Sequence, residues 1–423
     1  MNQASHAGLI SAPSNGVLAW YRDGTPSARH SLWAASLGWA LDAVDVMLFS
    51  LVLSSLMGDF LITKTTAGFL GAVTLIASGA GGVLFGVLAD RYGRRRAMMG
   101  SILVYSVFTA ACGLTQTVWQ LGACRFLLGL GMGGEWTTGA ALVSETWPDR
   151  HRGKALGFMH SFWAVGYAAA AIMVAVVLPV FGWRAVFFVG VAPAILVLWV
   201  RRHVDESELW VSSRTLHVRK RTKLGDIFRG HLGPATVLLT LLSLFTLFSY
   251  WGLNFWVPAY LSLPVAQGGL GLGTSATTQL VLAMQVGTWL GLVSFGYVCD
   301  AIGRRKSYVI YLLIGAALVV LYGRTQNPLS LLILGPFVAL FGTGHLSGFG
   351  TVSAEVYPTS VRAAAQGFTF NVGRIGSAFA PFLAGSLAQA RGFDAAFVLT
   401  GAGLLLGALT WMWLPETRGR SLS

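Results

Sequence analysis

The sequence predicts an all-α membrane protein: twelve transmembrane helices arranged as two six-helix bundles that repeat in the same orientation. Three observations carry this expectation. Hydrophobic residues make up 55% of the 423 residues and charged residues only 11%, with a mean hydropathy of +0.66, whereas a soluble domain carries about 25% charged residues. The chain divides into twelve mostly apolar stretches, and a spanning helix needs roughly 20 such residues. A charged loop motif also recurs 210 residues further along the chain.

The apolar cores lie in order at Ser31–Met57, Thr66–Ala89, Ala97–Thr115, Trp119–Val143, Ala155–Val180, Trp183–Val200, Pro234–Leu261, Thr277–Val298, Ser307–Tyr322, Leu329–Ser353, Ala364–Ala388 and Asp394–Leu414. The 53 glycines and 15 tryptophans suit such a bundle, because glycine lets helices approach closely and aromatics favour the interfaces. This divides the chain into a tail (1–30), a first bundle (31–200), a central loop (201–233), a second bundle (234–414) and a short tail (415–423). The first thirty residues hold no apolar core of the kind a cleaved signal peptide needs.

Lys and Arg bias sets orientation. Most of the 29 Lys and Arg residues fall in one set of loops, while Lys64, Arg184, Arg324 and Arg391 fall in the other. Arg125 and Arg374 lie inside spans. The expected topology places both termini and the central loop in the cytoplasm of a cell (inner) membrane. It also accounts for the net charge of +13 without a nucleic-acid partner. Cys112, Cys124 and Cys299 sit in apolar stretches without metal-ligand spacing. The chain has no Gly-x-x-x-x-Gly-Lys-Ser/Thr loop, which excludes a P-loop pump. No His/Cys/Glu cluster or Gly-x-Ser-x-Gly elbow points to an enzyme.

The repeat pairs Gly86, Asp90, Arg91, Gly93 and Arg94 at the end of the second span with Gly296, Asp300, Gly303 and Arg304 at the end of the eighth. Glu145 pairs with Glu355, and Arg152 with Arg362, at the same offset. An even number of spans restores orientation, so the halves run parallel, an arrangement that places substrate between them. Gly86 and Gly296 are read as sites of tight helix packing, and Gly93 and Gly303 as sharp turns. The acidic and basic residues are read as a latch between the halves, or as positive-inside loops alone.

The two Gly-x-x-x-Asp-x-x-Gly-Arg-Arg/Lys loops, Arg125-x-x-x-Gly129, Glu145-x-x-Pro148 with Arg152-Gly153, and Leu414-Pro-Glu-Thr-Arg-Gly419 together resemble the major facilitator superfamily. The resemblance covers essentially the whole chain and implies the major facilitator fold. Asp42-Ala-Val-Asp45, Gly133-Gly-Glu-Trp136 and Asn371-Val-Gly-Arg374 are similar to the sialate/monocarboxylate:proton symporters, with the aromatic-acid and metabolite:proton symporters as neighbours. The exit of the sixth span, Val204-Asp-Glu-Ser-Glu-Leu-Trp210, follows the sugar and organic-acid porters only loosely.

Charges within the bilayer are costly and mark function. Asp42 and Asp45 are three residues apart and share a helix face. They are read as a proton carrier or as a static pair locked to Arg125, and the resemblance favours Asp45. Glu135 is a second proton site or a helix contact. His345, its counterpart in the repeat, is a pH-sensitive group or a neutral hydrogen-bonded one. Arg374 sits near mid-depth in a half with few membrane acids. A guanidinium grips a carboxylate through two parallel hydrogen bonds, so Arg374 is read either as the binder of an anionic substrate or as the partner of Asp42, Asp45 or Glu135. Asn371 shares its face. Asn254, Gln285, Trp163 and Tyr167 are expected to line the remaining cavity.

The expected function is symport of a small organic acid (a monocarboxylate, a sialate-like acid or an aromatic carboxylate) with a proton by alternating access. No cofactor beyond the coupling proton and no partner beyond substrate and lipid is expected, and the chain is read as a monomer. A proton-coupled drug or metabolite exporter and a sugar porter are the alternatives.

Overall fold

The computed structural model describes residues 19–147, 151–191, 193–206, 224–230, 232–358 and 361–418. The start of the N-terminal tail, most of the central loop, Pro148, Gly419 and the side chain of Asp90 lie outside the described residues.

Among the described residues the regular secondary structure is all helical, and its longer helices group, apart from short pieces such as Ala19–Arg22 and Leu224–Phe228, into twelve successive runs. These are α1 (Pro26–Leu51 and Leu53–Phe60), α2 (Lys64–Tyr92), α3 (Arg94–Cys112) and α4 (Val118–Thr146). The segment Arg152–Val189 breaks at Gly182, where φ is 75°, giving α5 (152–181) and, with Pro193–His203, α6. The second half repeats the order with α7 (Leu232–Ser262), α8 (Thr274–Ile302), α9 (Arg304–Arg324), α10 (Pro328–Thr343 continuing through Phe349–Val356), α11 (Arg362–Ser377 and Ala380–Arg391) and α12 (Phe393–Thr410). Among the described residues, eight helical stretches, one of them running through both α5 and α6, are long and apolar enough to cross a membrane.

Local chemistry sets the helix starts. Thr25 and Thr63 cap α1 and α2 through their hydroxyls, with Pro26 at the first helical position of α1. Thr117 and Gln120 form a reciprocal capping box at α4. Asn327 caps α10 by accepting from the N–H groups of Leu329 and Ser330. The sequence predicts an unbroken tenth span, but α10 tightens to a 3₁₀ turn over Gly344–Gly348. Glycine is a poor helix former, and Gly344 packs directly on the backbone of Gly291 in α8.

Glycine packs the bundles tightly, but not where the motif suggested. A Cβ on Gly86 or Gly296 would meet nothing within 4 Å, so neither residue is a site of close helix packing. The close approaches lie one to two turns earlier. A Cβ on Gly81 would collide with the carbonyl of Leu130, and one on Gly291 with that of Leu340. These two contacts are repeat equivalents, each displaced by 210 residues.

The outer surface is apolar, with Val83, Val107, Ile172, Val176, Ile195 and Ile333 all more than half exposed. Aspartate, glutamate and arginine are instead buried at the centre. This inverts the distribution of a soluble protein and suits a molecule solvated by lipid.

The halves meet mainly at the face opposite the arginine-rich loops. There Lys64 Nζ donates to the carbonyl of Gln267 at 2.6 Å, and Ser262 and Ser54 share a hydrogen bond of 3.0 Å. Deeper along the seam, Ser50 donates to the carbonyl of Phe255 at 2.6 Å and Tyr167 to that of Asn254 at 3.2 Å. Nearer the arginine-rich face, Trp136 of α4 stacks on Phe370 of α11, centroids 4.6 Å apart at 15°.

Candidate transport site

Asp42, Asp45, Arg125, Glu135 and Arg374 are all at most 3% exposed. The first four come from α1 and α4 of the first half, and Arg374 comes from α11 of the second. Asp42 and Arg374, on opposite halves, lie within Coulombic range of each other without forming an ion pair, and Asp45 and Glu135 lie within range of Asp42. Arg125 lies within range of Asp45, with its guanidinium 4.1 Å over the Phe49 ring.

Small neighbours make room for these charges. The Glu135 carboxylate packs against Gly38 and Gly139, and Asp45 packs against Gly190 and Thr109. A Cβ on Gly190 would stand 3.3 Å from Asp45 Oδ1.

By geometry the carboxylate oxygens of Asp42 and Glu135 accept no hydrogen bond from the described protein atoms, Asp45 has the Thr109 hydroxyl beside it without a well-formed hydrogen bond, and Nε and Nη1 of Arg125 donate none. Buried charges are strongly unfavourable unless paired and hydrogen-bonded. Such groups are stable there only when protonated or when water or a polar neighbour compensates them.

An aromatic wall adjoins the charges. Trp39, one turn before Asp42, lies 4.8 Å from Trp163 and 5.9 Å from His160. Trp136 Nε1 donates to His160 Nε2 at 3.2 Å. Trp163 meets Trp251 of the second half edge-on at 6.0 Å. Asn254 spends its amide on the carbonyl of Tyr250, and its own carbonyl receives Tyr167 and Ser50. Asn371 donates to the carbonyl of Gly367 at 2.8 Å, leaving its buried Oδ1 without a partner.

Two further expected lining residues lie on α8 and α10 of the second half. Gln285 is buried on α8 with Oε1 unpartnered. His345 sits inside the second bundle, edge-on to Tyr308 at 6.2 Å, beside a cavity of about 10 Å³ that Ser243, Thr246 and Phe370 also line. That volume holds about one water.

The repeated loops form two matching clamps at the arginine-rich face. Gly93 and Gly303 adopt φ of 109° and 98°, which favours glycine and turns the chain into α3 and α9. Arg94 pairs with Glu145 at 2.9 Å, and Arg304 pairs with Glu355 at 2.9 Å and with Asp300. Arg362 Nε donates to the carbonyls of Ala354 and Tyr357. Arg91 lies over the Tyr92 ring, and Arg152 opens α5. The hydrogen bonds and ion pairs just named each join residues of the same half.

The profile of the Major Facilitator Superfamily matches residues 35–278 and 260–422, which together cover nearly the whole chain. The chain belongs to the major facilitator superfamily. It is a membrane transporter, not an enzyme.

Superfamily members with similar sequences carry transport names. The chain is 34% identical over 403 residues to a putative metabolite transport protein of Haemophilus influenzae, covering 93% of this chain and 97% of that one. It is 33% identical to a probable 4-methylmuconolactone transporter of Cupriavidus pinatubonensis, covering 95% and 94%. It is also 33% identical to the sialic acid transporter NanX of Escherichia coli, covering 86% and 89%. Among solved structures of the superfamily, a D-xylose-proton symporter superposes with a TM-score of 0.75 at 20% identity, covering 94% of this chain and 100% of the other, which establishes the shared fold.

The superfamily motifs also account for residues that the sequence reading left without a role. Glu206 accepts from the N–H groups of Arg94 and Arg95, and Glu416 from those of Arg304 and Arg305, so each caps a helix from the far end of its own bundle. Their common offset of 210 residues was the available signal. Burial opposes ionisation of Glu416, but the N–H groups of Arg418, Arg304, Arg305 and Thr417 win and hold its carboxyl below the ordinary glutamate range. Tyr105, whose buried hydroxyl has no partner, faces all three central carboxylates from α3. Nothing in its sequence context marks it out.

Proposed function

We propose that this transporter imports a small organic acid together with a proton across the inner membrane, with both termini in the cytoplasm and the monomer as the working unit. The observation that carries the reading is the burial of Asp42 and Arg374 on opposite halves, within Coulombic range of each other, with Asp45 and Glu135 beside Asp42. Each half contributes one member, so the pair senses how the halves sit.

In the proposed cycle, an incoming proton neutralises Asp45 or Asp42. This loosens the hold of the first half on Arg125 and Arg374. Freed of its aspartate, Arg374 receives the substrate carboxylate, with Asn371 beside it. The halves (31–200 and 234–414) then rock about this midplane site, joined by the loop 201–233. The proton is the only coupling species, and no cofactor takes part. The seam contacts of Lys64, Ser54 and Ser262 at the face opposite the arginines support a state closed there and entered from the arginine-rich, cytoplasmic side. The ion pairs of Arg94 with Glu145 and of Arg304 with Glu355 brace each bundle while this happens.

The transport names of the relatives, for sialic acid and 4-methylmuconolactone, support an organic metabolite as cargo. The test is uptake into proteoliposomes under an imposed pH gradient, across lactate, pyruvate, sialate, aromatic acids and neutral sugars. Gradient-driven accumulation of an acid supports the proposal. Accumulation of a sugar alone, or proton release on substrate binding, overturns it in favour of a sugar porter or an exporter.

A further inference from the structure

We infer that Cys112 and Cys124 are a modification site: an oxidisable dithiol that closes to an intramolecular disulfide and fixes the turn of α4 that carries Arg125. The inference stands apart from the identity of the cargo.

Helix register brings the two thiols together. α3 ends at Cys112 and α4 starts at Val118, so the helices run antiparallel on either side of a short connection. Gly131 of α4 sits directly on α3, where a Cβ would stand 2.9 Å from the carbonyl oxygen of Ser101 and 3.0 Å from the Cβ of Tyr105. Seven residues make nearly two turns and return a helix to the same face. Cys112 follows Tyr105 by seven, and Cys124 precedes Gly131 by seven. In antiparallel helices both steps run the same way, towards the end of the bundle opposite the arginine-rich loops. The side chains keep this register, and the two free thiols lie beside each other.

The thiols differ in access. Cys124 is partly exposed, whereas Cys112 is fully buried. Cys124 therefore meets an oxidant first and Cys112 resolves the product, the arrangement of a reversible redox pair. The oxidant is a peroxide. It oxidises Cys124 to a sulfenic acid: the O–O bond breaks, an S–O bond forms and one water leaves. The Cys112 sulfur then attacks that sulfur. The S–O bond breaks, its oxygen leaves as a second water with the Cys112 proton, and the S–S bond forms. The thiols lose two electrons in all, and the peroxide gains them.

Closure acts next to the buried charges. Arg125 directly follows Cys124 and lies within Coulombic range of Cys112. A disulfide demands Cβ atoms roughly 3.5–4.5 Å apart, which removes the freedom of α4 to shift against α3 at this turn.

The test uses the full chain, purified under reductant, freed of it, treated with hydrogen peroxide, and alkylated with N-ethylmaleimide after denaturation. Wild type is expected to lose about 2 Da before alkylation. Its Cys112 and Cys124 peptides should appear linked, Cys299 should remain alkylatable, and dithiothreitol should return both thiols. Cys112→Ser is expected to stop at a Cys124 sulfenic acid that dimedone traps. Linked wild type is expected to melt at a higher temperature than reduced wild type. Over-oxidation of wild-type Cys124 without a link, a Cys124–Cys124 dimer, or two thiols still alkylatable after peroxide would overturn the dithiol. Equal melting of linked and reduced protein would overturn the fixed turn.

Discussion

Asp42 of α1 and Arg374 of α11 lie on opposite halves, both buried and within Coulombic range of each other. A charge pair split between two moving bodies is strongest in one arrangement and weaker in the other. Protonating one member or offering the other a competing anion therefore shifts the balance between arrangements.

Removal of Arg374 is the most direct chemical perturbation. Arg374→Ala is expected to weaken acid binding by about thirtyfold or more, the cost of deleting one partner of a buried charge contact. Arg374→Lys is expected to recover little of this, because an ammonium does not reproduce the two-pronged grip. Isothermal titration of the purified variants with the acid found by the uptake screen measures both.

Closure of the face opposite the arginines is testable by cross-linking. Ser54 and Ser262 share a hydrogen bond of 3.0 Å between the halves. The double variant Ser54→Cys/Ser262→Cys is expected to join the halves under oxidation and stop transport, with reductant restoring it. Unimpaired transport by fully cross-linked protein would show that the seam need not open at that point.

The Glu416 cap gives a pH-dependent stability. The Glu416 carboxyl is held below the ordinary value of 4.5 by the backbone N–H groups around it. A carboxyl depressed in the folded state contributes stability that is fully present above its unfolded pKa and is lost as pH falls through the folded one. Glu416→Gln is therefore expected to lower thermal stability near neutral pH by about the worth of a helix cap, ~1 kcal/mol. The gap to wild type should narrow on acidification below about pH 4.5. Glu206→Gln should lower neutral-pH stability in the same way, since it occupies the same place in the first half.

Glycine substitutions separate the motif from the packing. Gly81→Val and Gly291→Val each drive a side chain into a backbone carbonyl and are expected to cost more than about 1–3 kcal/mol of stability. Gly86→Ala and Gly296→Ala meet open space on a helix and are expected to be neutral or stabilising by about 0.5–1 kcal/mol. Fluorescence-detected thermal melts in detergent read all four.

Much of this architecture was legible in the sequence because its causes are local or periodic. Apolar length set the helical runs, and the offset of 210 residues exposed the parallel halves. The sharp turns at Gly93 and Gly303 followed from glycine beside charge. What stayed hidden depends on which helices touch. The motif glycines Gly86 and Gly296 looked like packing sites, yet contact falls to Gly81 and Gly291, and only the tilt of α2 on α4 decides between them. The charged loops read either as a latch between the halves or as positive-inside loops, because sequence gives the charges but not which bundle holds each partner. His345 matched Glu135 in repeat position, but the break in α10 turns it into its own bundle. Asp42, Asp45, Arg125, Glu135 and Arg374 were found because a charge in an apolar stretch is rare. Tyr105 and Trp39 were passed over because aromatic residues in membrane helices are common.

The measurement that bears most directly on the central claim is transport by Asp45→Asn in proteoliposomes, assayed both by exchange of preloaded acid and by accumulation under an imposed pH gradient. The proposed cycle expects exchange to persist, since Arg374 still receives the acid, while gradient-driven accumulation is lost. Accumulation at the wild-type level in that variant, with Asp42→Asn equally able, would contradict a proton carried by the aspartates of α1.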